Sequence, residues 1–215
     1  MGEEKKEEVK KETAPISGLL GKKIGMTQVF DQAGNIVPVT VLEVGPCTVT
    51  QVKTKENDGY SAVQVGFGTA KKLNKAKKGH LKEINANYLR EFKVEDPASF
   101  QVGQQIGVDL FAVGDKITVS GVSIGKGFQG TIKRHHHHRG PMSHGSKSHR
   151  IPGSIGSGTT PGRVYKGRSM AGRMGNEKVT TTNLKIIEVN PDKNLLLING
   201  AVPGKPGNLI TILKG

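Results

Sequence analysis

A stretch of 58 residues, Gly121–Lys178, most limits what this chain can fold into. It contains eleven lysines and arginines and one acid, Glu177, and so carries ten of the fourteen formal net positive charges. Between Phe128 and Tyr165 it has no aromatic residue and few apolar ones. Ordering one residue costs about 1–2 kcal/mol of backbone entropy, which so few buried side chains do not offset. The composition therefore predicts a long arm without its own core, ordered by a partner.

The charge of this arm indicates an anionic partner, and nucleic-acid phosphate is the first candidate. A membrane surface is the alternative that a pI of about 9.9 leaves open, although no apolar run approaches the roughly 20 residues of a spanning helix. Single-strand binders stack bases on aromatic rings, and the arm has none between Phe128 and Tyr165. The arm is better suited to threading between packed helices of a folded RNA, where it reads shape, phosphates and 2′-hydroxyls.

The sequence on both sides of the arm has the pattern of short β-strands separated by turn residues. A short helix is predicted at residues 82–92. We predict a mainly β fold, with one β-barrel built from residues 18–68, 101–125 and 176–215. A lysine-rich insertion would occupy residues 69–100, the arm residues 126–175, and a disordered charged tail residues 1–17. Strands are predicted at Lys22–Phe30, Val37–Val44, Thr48–Thr54, Tyr60–Phe67, Gln105–Leu110, Lys116–Ile124, Val179–Val189, Asn194–Ile198 and Asn208–Leu213.

Three patterns in the arm invite an enzymatic or metal interpretation. Gly125–Gly130 matches GxGxxG, but no acid lies about 20 residues on to hold a ribose. His135–His138, His144 and His149 lack nearby cysteines or carboxylates for zinc, and Cys47 is the only cysteine. Serines lie beside these histidines, but no acid in the arm orients an imidazole. We expect no catalysis, cofactor, metal or small-molecule substrate; a nucleotide-binding enzyme and an RNA chaperone without a fixed site are the competing classes.

The candidate RNA-binding residues of the arm are cations, histidines and hydroxyls, which donate hydrogen bonds to phosphates and riboses. They are Lys126, Lys133, Arg134, His138, Arg139, Ser143, His144, Lys147, His149, Arg150, Ser154, Arg163, Lys166, Arg168 and Arg173.

Several longer motifs carry a family resemblance. Leu20–Phe30 reads LGKKIGMTQVF, and Ser143–Ser146 followed by Pro152–Gly156 reads SHGS and PGSIG. Further along, the motifs are TPGRVYKG at Thr160–Gly167, MAGRMG at Met170–Gly175, NLLL at Asn194–Leu197 and GAVPG at Gly200–Gly204. In this order, over residues 17–214, they resemble large-subunit ribosomal protein three of the bacterial or plastid type.

The resemblance implies a barrel of the translation-protein type and a structural role in the large ribosomal subunit. It implies direct binding of large-subunit rRNA, early assembly, and contacts with neighbouring ribosomal proteins but not with a membrane. The location implied is the ribosome of a bacterial cytoplasm or plastid stroma. The tip of the arm would lie near the peptidyl-transferase centre, and comprises Pro152, Gly153, Ser154, Ile155, Gly156 and Ser157.

Overall fold

The computed structural model describes residues 16–82 and 84–215. The strands are β1 (Gly18–Phe30), β2 (Ile36–Val44), β3 (Cys47–Lys53), β4 (Ala62–Phe67), β5 (Tyr88–Lys93), β6 (Gln105–Ile106), β7 (Lys116–Val122), β8 (Phe128–Gln129), β9 (Gly172–Arg173), β10 (Lys178–Asn190), β11 (Leu195–Asn199) and β12 (Leu209–Lys214). The α-helices are α1 (Lys55–Asp58), α2 (Lys75–Leu81) and α3 (Thr131–His135), and short 3₁₀ turns lie at Pro97–Ser99 and Val108–Leu110. None of the helices in these ranges is long and apolar enough to cross a bilayer.

Within the described residues, six strands close into an antiparallel barrel in the order β1-β12-β7-β10-β11-β2. The long strand β1 pairs with β12 from Gly18 opposite Leu213, and with β2 as far as Phe30 opposite Ile36. Alternate residues point inward. In β7, Ile117, Val119 and Gly121 are buried, and the residues between them are not. The prediction of a mainly β protein containing a barrel is confirmed.

A cluster of buried apolar side chains packs inside the barrel and beside it. Its fully buried members include Leu42 of β2, Leu196 of β11 and Ile212 of β12. Every residue of the cluster lies outside residues 122–178. The barrel therefore has a core to which the arm contributes nothing, as the shortage of apolar residues in the arm predicts.

The structure corrects the prediction that all four early strands belong to one barrel. Strands β3 and β4 lie in a separate four-stranded antiparallel sheet, in the order β5-β4-β3-β6. The chain passes from one sheet to the other at Gly45, whose positive φ of 77° suits a residue without a Cβ. Alternating burial identifies a strand but not the sheet that it joins, which is why the sequence pattern did not separate the two sheets.

The predicted helix at residues 82–92 and the predicted insertion are also wrong in detail. The helix lies earlier, at α2, where the Asn74 side chain accepts a 2.8 Å hydrogen bond from the Lys77 amide. Tyr88–Lys93 instead forms β5, which pairs along the whole of β4. Residues 69–100 thus complete a sheet, because the pairing of β4 overrides local helix preference. The predicted strand at Gln105–Leu110 is only the two-residue β6 followed by a 3₁₀ turn.

The chain begins to pack earlier than the predicted end of the charged tail at residue 17. Ile16 is buried in the core cluster, and the Ser17 carbonyl accepts a 2.9 Å hydrogen bond from the Lys214 amide. Residues 1–15 of the predicted tail lie outside the described residues.

A buried lysine holds the loop between β11 and β12. The ammonium of Lys23 donates hydrogen bonds to the carbonyls of Val202 at 2.8 Å and Gly204 at 3.1 Å. Its backbone amide donates to Asn208, and its carbonyl accepts from Gly207. Lys23 is 8% exposed and precedes the irregularity in the β1–β2 pairing. One side chain thus satisfies two loop carbonyls beside the barrel.

The single cysteine is predicted to be unreactive. Burial raises the pKa of the Cys47 thiol to about 11, and the residue has no solvent exposure. The reactive species is the thiolate, so at pH 8 only about one thiol in a thousand would be ionised even if a reagent could reach it. We expect no measurable reaction of the native protein with Ellman's reagent over several minutes, and prompt reaction of one thiol per chain in denaturant. Prompt reaction of the native protein would contradict the buried placement.

Candidate nucleic-acid interface

The described chain divides into two compact units. The first contains the residues up to Gly121 together with Val179–Gly215, and the second is Val122–Lys178, which we call the arm. These bounds are three to four residues wider than the arm predicted at residues 126–175. The chain enters the arm from β7 and leaves it into β10, which are neighbouring strands of the barrel.

The base of the arm is a narrow antiparallel ribbon. The Ser123 amide donates to the Glu177 carbonyl at 2.9 Å, and the Lys126 amide donates to the Met174 carbonyl at 2.8 Å. Strands β8 and β9 then pair Phe128 with Arg173. The GxGxxG segment therefore belongs to this ribbon and its exit into α3. A helix of five residues presents too few aligned amides to make a dinucleotide site.

Beyond this ribbon, side chains hold backbone segments together. Arg134 and His135 on α3 both contact the carbonyl oxygen of Met170, each at 3.0 Å. A Cβ on Gly172 would overlap the Arg134 guanidinium, so the glycine leaves room for this contact. Arg134 was predicted to bind phosphate; its Nη1 donates within the arm, across 36 residues of sequence.

The middle of the arm is a closed loop. The Gly140 amide donates to the His149 carbonyl at 2.9 Å, and His149 Nδ1 lies 2.9 Å from the Pro141 carbonyl. A Cβ on Gly140 would overlap the Ser148 carbonyl oxygen, so the two limbs approach too closely for any other residue. His149, another predicted RNA ligand, therefore helps to close this loop, while the exposed His144 lies within it.

The tip is tied to the limb that returns to the barrel. Arg168 donates from Nη2 to the Ser154 carbonyl at 2.6 Å, and its amide makes a 3.4 Å turn contact with the Tyr165 carbonyl. Between the two segments lies a cavity of about 700 Å³. Its walls include His137, Ile155, Ser157, Tyr165 and Lys166.

Most of the predicted RNA-binding residues are exposed on the arm. Only Arg134 and His149 are half-buried, in keeping with their internal hydrogen bonds. The exposed ones are Lys126, Lys133, His138, Arg139, Ser143, His144, Lys147, Arg150, Ser154, Arg163, Lys166, Arg168 and Arg173. Three of the predicted residues, Arg134, His149 and the exposed Arg168, also bond backbone within the arm, a role that residue type alone does not reveal.

The positive charge of the arm is uncompensated. In residues 16–82 and 84–215 the ion pairs are Lys53–Glu91 and Lys214–Asp115, and both lie outside the arm. The same residues contain no group of three histidine, cysteine or acidic side chains placed to hold a metal. What this surface can do chemically is donate hydrogen bonds to anions and attract them.

Sequence reasoning missed Tyr165. The ring lines the cavity, and the Arg163 guanidinium lies over it at 5.5 Å from the centroid. The signal was present, because Tyr165 is the only aromatic residue between Phe128 and the end of the arm. The scarcity of rings argues against stacking along the whole arm, but it leaves this one exposed ring to be considered separately.

The chain matches known proteins over most of its length. Residues 49–195 match the model of a family described as ribosomal protein L3. The large ribosomal subunit protein uL3c of Phaeodactylum tricornutum is 53% identical over 203 residues, which are 92% of this chain and 98% of the relative. The uL3 protein of Thermosynechococcus vestitus is 54% identical over 91% of this chain and 94% of its own length. For uL3c of Porphyra purpurea the values are 55%, 92% and 98%.

Proposed function

Because this chain belongs to the ribosomal protein L3 family, we propose that it is a structural constituent of the large ribosomal subunit that binds large-subunit rRNA directly through the arm. The family consists of structural ribosomal proteins rather than enzymes. The relatives come from cyanobacteria and plastids. We place this protein accordingly in ribosomes of a bacterial cytoplasm or a plastid, with rRNA and neighbouring large-subunit proteins as partners.

The observation that carries RNA binding is the uncompensated charge of the arm. Eleven cations and one acid occupy residues 121–178, and almost all of those cations are exposed. The space between packed RNA helices is narrow and is lined by phosphates. A narrow chain with projecting cations fits such a space and can neutralise those phosphates. Each cation that neutralises a phosphate releases condensed counterions, so binding of this kind weakens steeply with salt.

The internal hydrogen bonds support a role that depends on shape. Arg134, His149 and Arg168 each join backbone segments within the arm. A surface whose geometry is partly set before binding loses less entropy when it docks. We propose that the arm inserts among rRNA helices in this shape, that its tip at Pro152–Ser157 reaches toward the peptidyl-transferase centre, and that early docking helps to nucleate assembly.

The test of this function is the amount of the protein in purified large subunits. We expect one copy for each large-subunit rRNA after a high-salt wash, measured by quantitative mass spectrometry with isotope-labelled peptides. A buried arm should resist the wash, because charges within the packed RNA are screened less than surface ones. Loss in the wash, or far fewer copies than rRNA molecules, would contradict a structural role and favour the RNA-chaperone alternative.

A further inference from the structure

We propose that the cavity between the tip of the arm and its returning limb receives one unpaired nucleotide of the bound RNA, whose base stacks on Tyr165. This inference rests on the proposed rRNA binding and deepens it, because it assigns one place on the arm where a base, rather than phosphate alone, is recognised.

The cavity has the size of a small-ligand site. Its volume is about 700 Å³, and pockets that hold small organic molecules measure about 300–1,000 Å³. A paired helix is far too wide for such a space, whereas one base swung out of its stack fits. The occupant is therefore a single nucleotide unit.

One wall is a platform for stacking. Tyr165 is 61% exposed and lines the cavity, so its ring is accessible to a ligand there. Arg163 lies over the ring at 5.5 Å from its centroid, which is a cation–π contact. A base placed against Tyr165 would bury apolar ring surface on both partners, which water now covers.

The remaining walls suit the polar parts of a nucleotide. Lys166 and His137 line the cavity, as do the hydroxyl-bearing Ser157 and Thr160, and no acid is among the lining residues. Cations match a phosphate, and hydroxyls and backbone groups match base edges and riboses. The chemistry of the walls thus agrees with the shape in favouring a nucleotide.

The two sides of the cavity are held in place by contacts within the arm. The Arg168 guanidinium bonds the Ser154 carbonyl, and the Arg168 amide closes a turn on the Tyr165 carbonyl. Gly156, in the opposite wall, has a φ of 144°, a conformation that is open essentially to glycine alone. The cavity is therefore formed by defined contacts, which limits the reorganisation that binding requires.

The surroundings favour a nucleotide within RNA over a free one. Exposed cations that do not line the cavity continue along the arm, namely Lys126, Lys133, Arg139, Lys147 and Arg150. A mononucleotide would leave most of this charge without a counter-anion. A polymer that places one base in the cavity and runs its backbone along the arm uses both features.

The test compares Tyr165→Ala with Tyr165→Phe in the full chain, measuring affinity for large-subunit rRNA at several salt concentrations. Loss of one stacked base should weaken binding by about tenfold or more. The slope of affinity against salt should not change, because no charge is removed. Tyr165→Phe should bind like the parent, since it keeps the ring. Equal affinity of the alanine variant and the parent would overturn the inference while leaving arm-mediated binding intact. Failure of the parent to bind rRNA would overturn both.

Chemical probing of the complexes locates the base. We expect one unpaired nucleotide to be protected from base-reactive reagents by the parent and by Tyr165→Phe, and to become reactive with Tyr165→Ala. Protection that is the same in all three complexes would contradict the assignment. Free adenosine and uridine 5′-monophosphates, titrated into the RNA-free chain, should bind more weakly than millimolar. Micromolar binding lost in Tyr165→Ala would assign the cavity to a free nucleotide instead.

Discussion

Replacing residues 134–168 by a short Gly-Ser linker is expected to leave a folded barrel that binds large-subunit rRNA more than about a hundredfold less tightly near physiological salt. Every residue of the buried core lies outside the arm, so cooperative unfolding should persist. The deletion removes seven cations, namely Arg134, Arg139, Lys147, Arg150, Arg163, Lys166 and Arg168. If each neutralises one phosphate, the slope of log affinity against log salt should become shallower by about five.

A matched control removes similar charge without touching the arm. Lys71, Lys72, Lys75, Lys77 and Lys78 are exposed in and before α2, and all five can be changed to glutamine. We expect a much smaller loss of affinity from this variant, because its lysines do not project from a narrow arm. An unchanged affinity and slope after the deletion, or an equal loss in the control, would contradict the assignment of binding to the arm.

The second large effect is expected from Lys23→Met. Methionine keeps the apolar stem but leaves the carbonyls of Val202 and Gly204 without the ammonium donor that now bonds them. Losing hydrogen bonds between a charged donor and buried acceptors should lower the free energy of unfolding by about 2–3 kcal/mol. For a chain of this size the melting temperature should fall by roughly 5–10 °C.

The neighbouring residue supplies the control for this effect. Lys22 lies on the same strand and is exposed, so Lys22→Met changes charge and side chain equally but removes no buried hydrogen bond. We expect its melting temperature to stay within about 1–2 °C of the parent. Similar melting temperatures for the two variants, measured by circular dichroism or calorimetry, would show that Lys23 does not hold the loop between β11 and β12.

The fold could be predicted from the sequence where local pattern decides it. Strand-forming residues between turn signals located β1, β2, β7 and β10–β12, and these six strands form the barrel. Pattern does not specify pairing partners, so β3 and β4 were placed in the wrong sheet. The stretch that became β5 was predicted as helix for the same reason, since only its register with β4 makes it a strand.

The candidate site shows a similar division. Charge is a property of composition, so the sequence alone indicated an anion-binding arm, and the residues predicted to touch rRNA stay predictions. The internal roles of Arg134 and Arg168 depend on carbonyls 36 and 14 residues away in sequence. Such contacts follow from the path of the folded chain, as does the cavity beside Tyr165. No local pattern of residue types encodes them.

The position of the arm between neighbouring barrel strands has a consequence for its evolution. The Ser120 and Thr180 hydroxyls, near the ends of β7 and β10, lie 2.8 Å apart, so the chain leaves the barrel and returns to it at nearly the same place. The entropic free-energy cost of closing a loop rises with the logarithm of the loop length, by about 0.6 kcal/mol for each doubling. Natural selection can therefore lengthen, shorten or reshape the arm to follow changes in its RNA while the register of the six-stranded barrel is preserved.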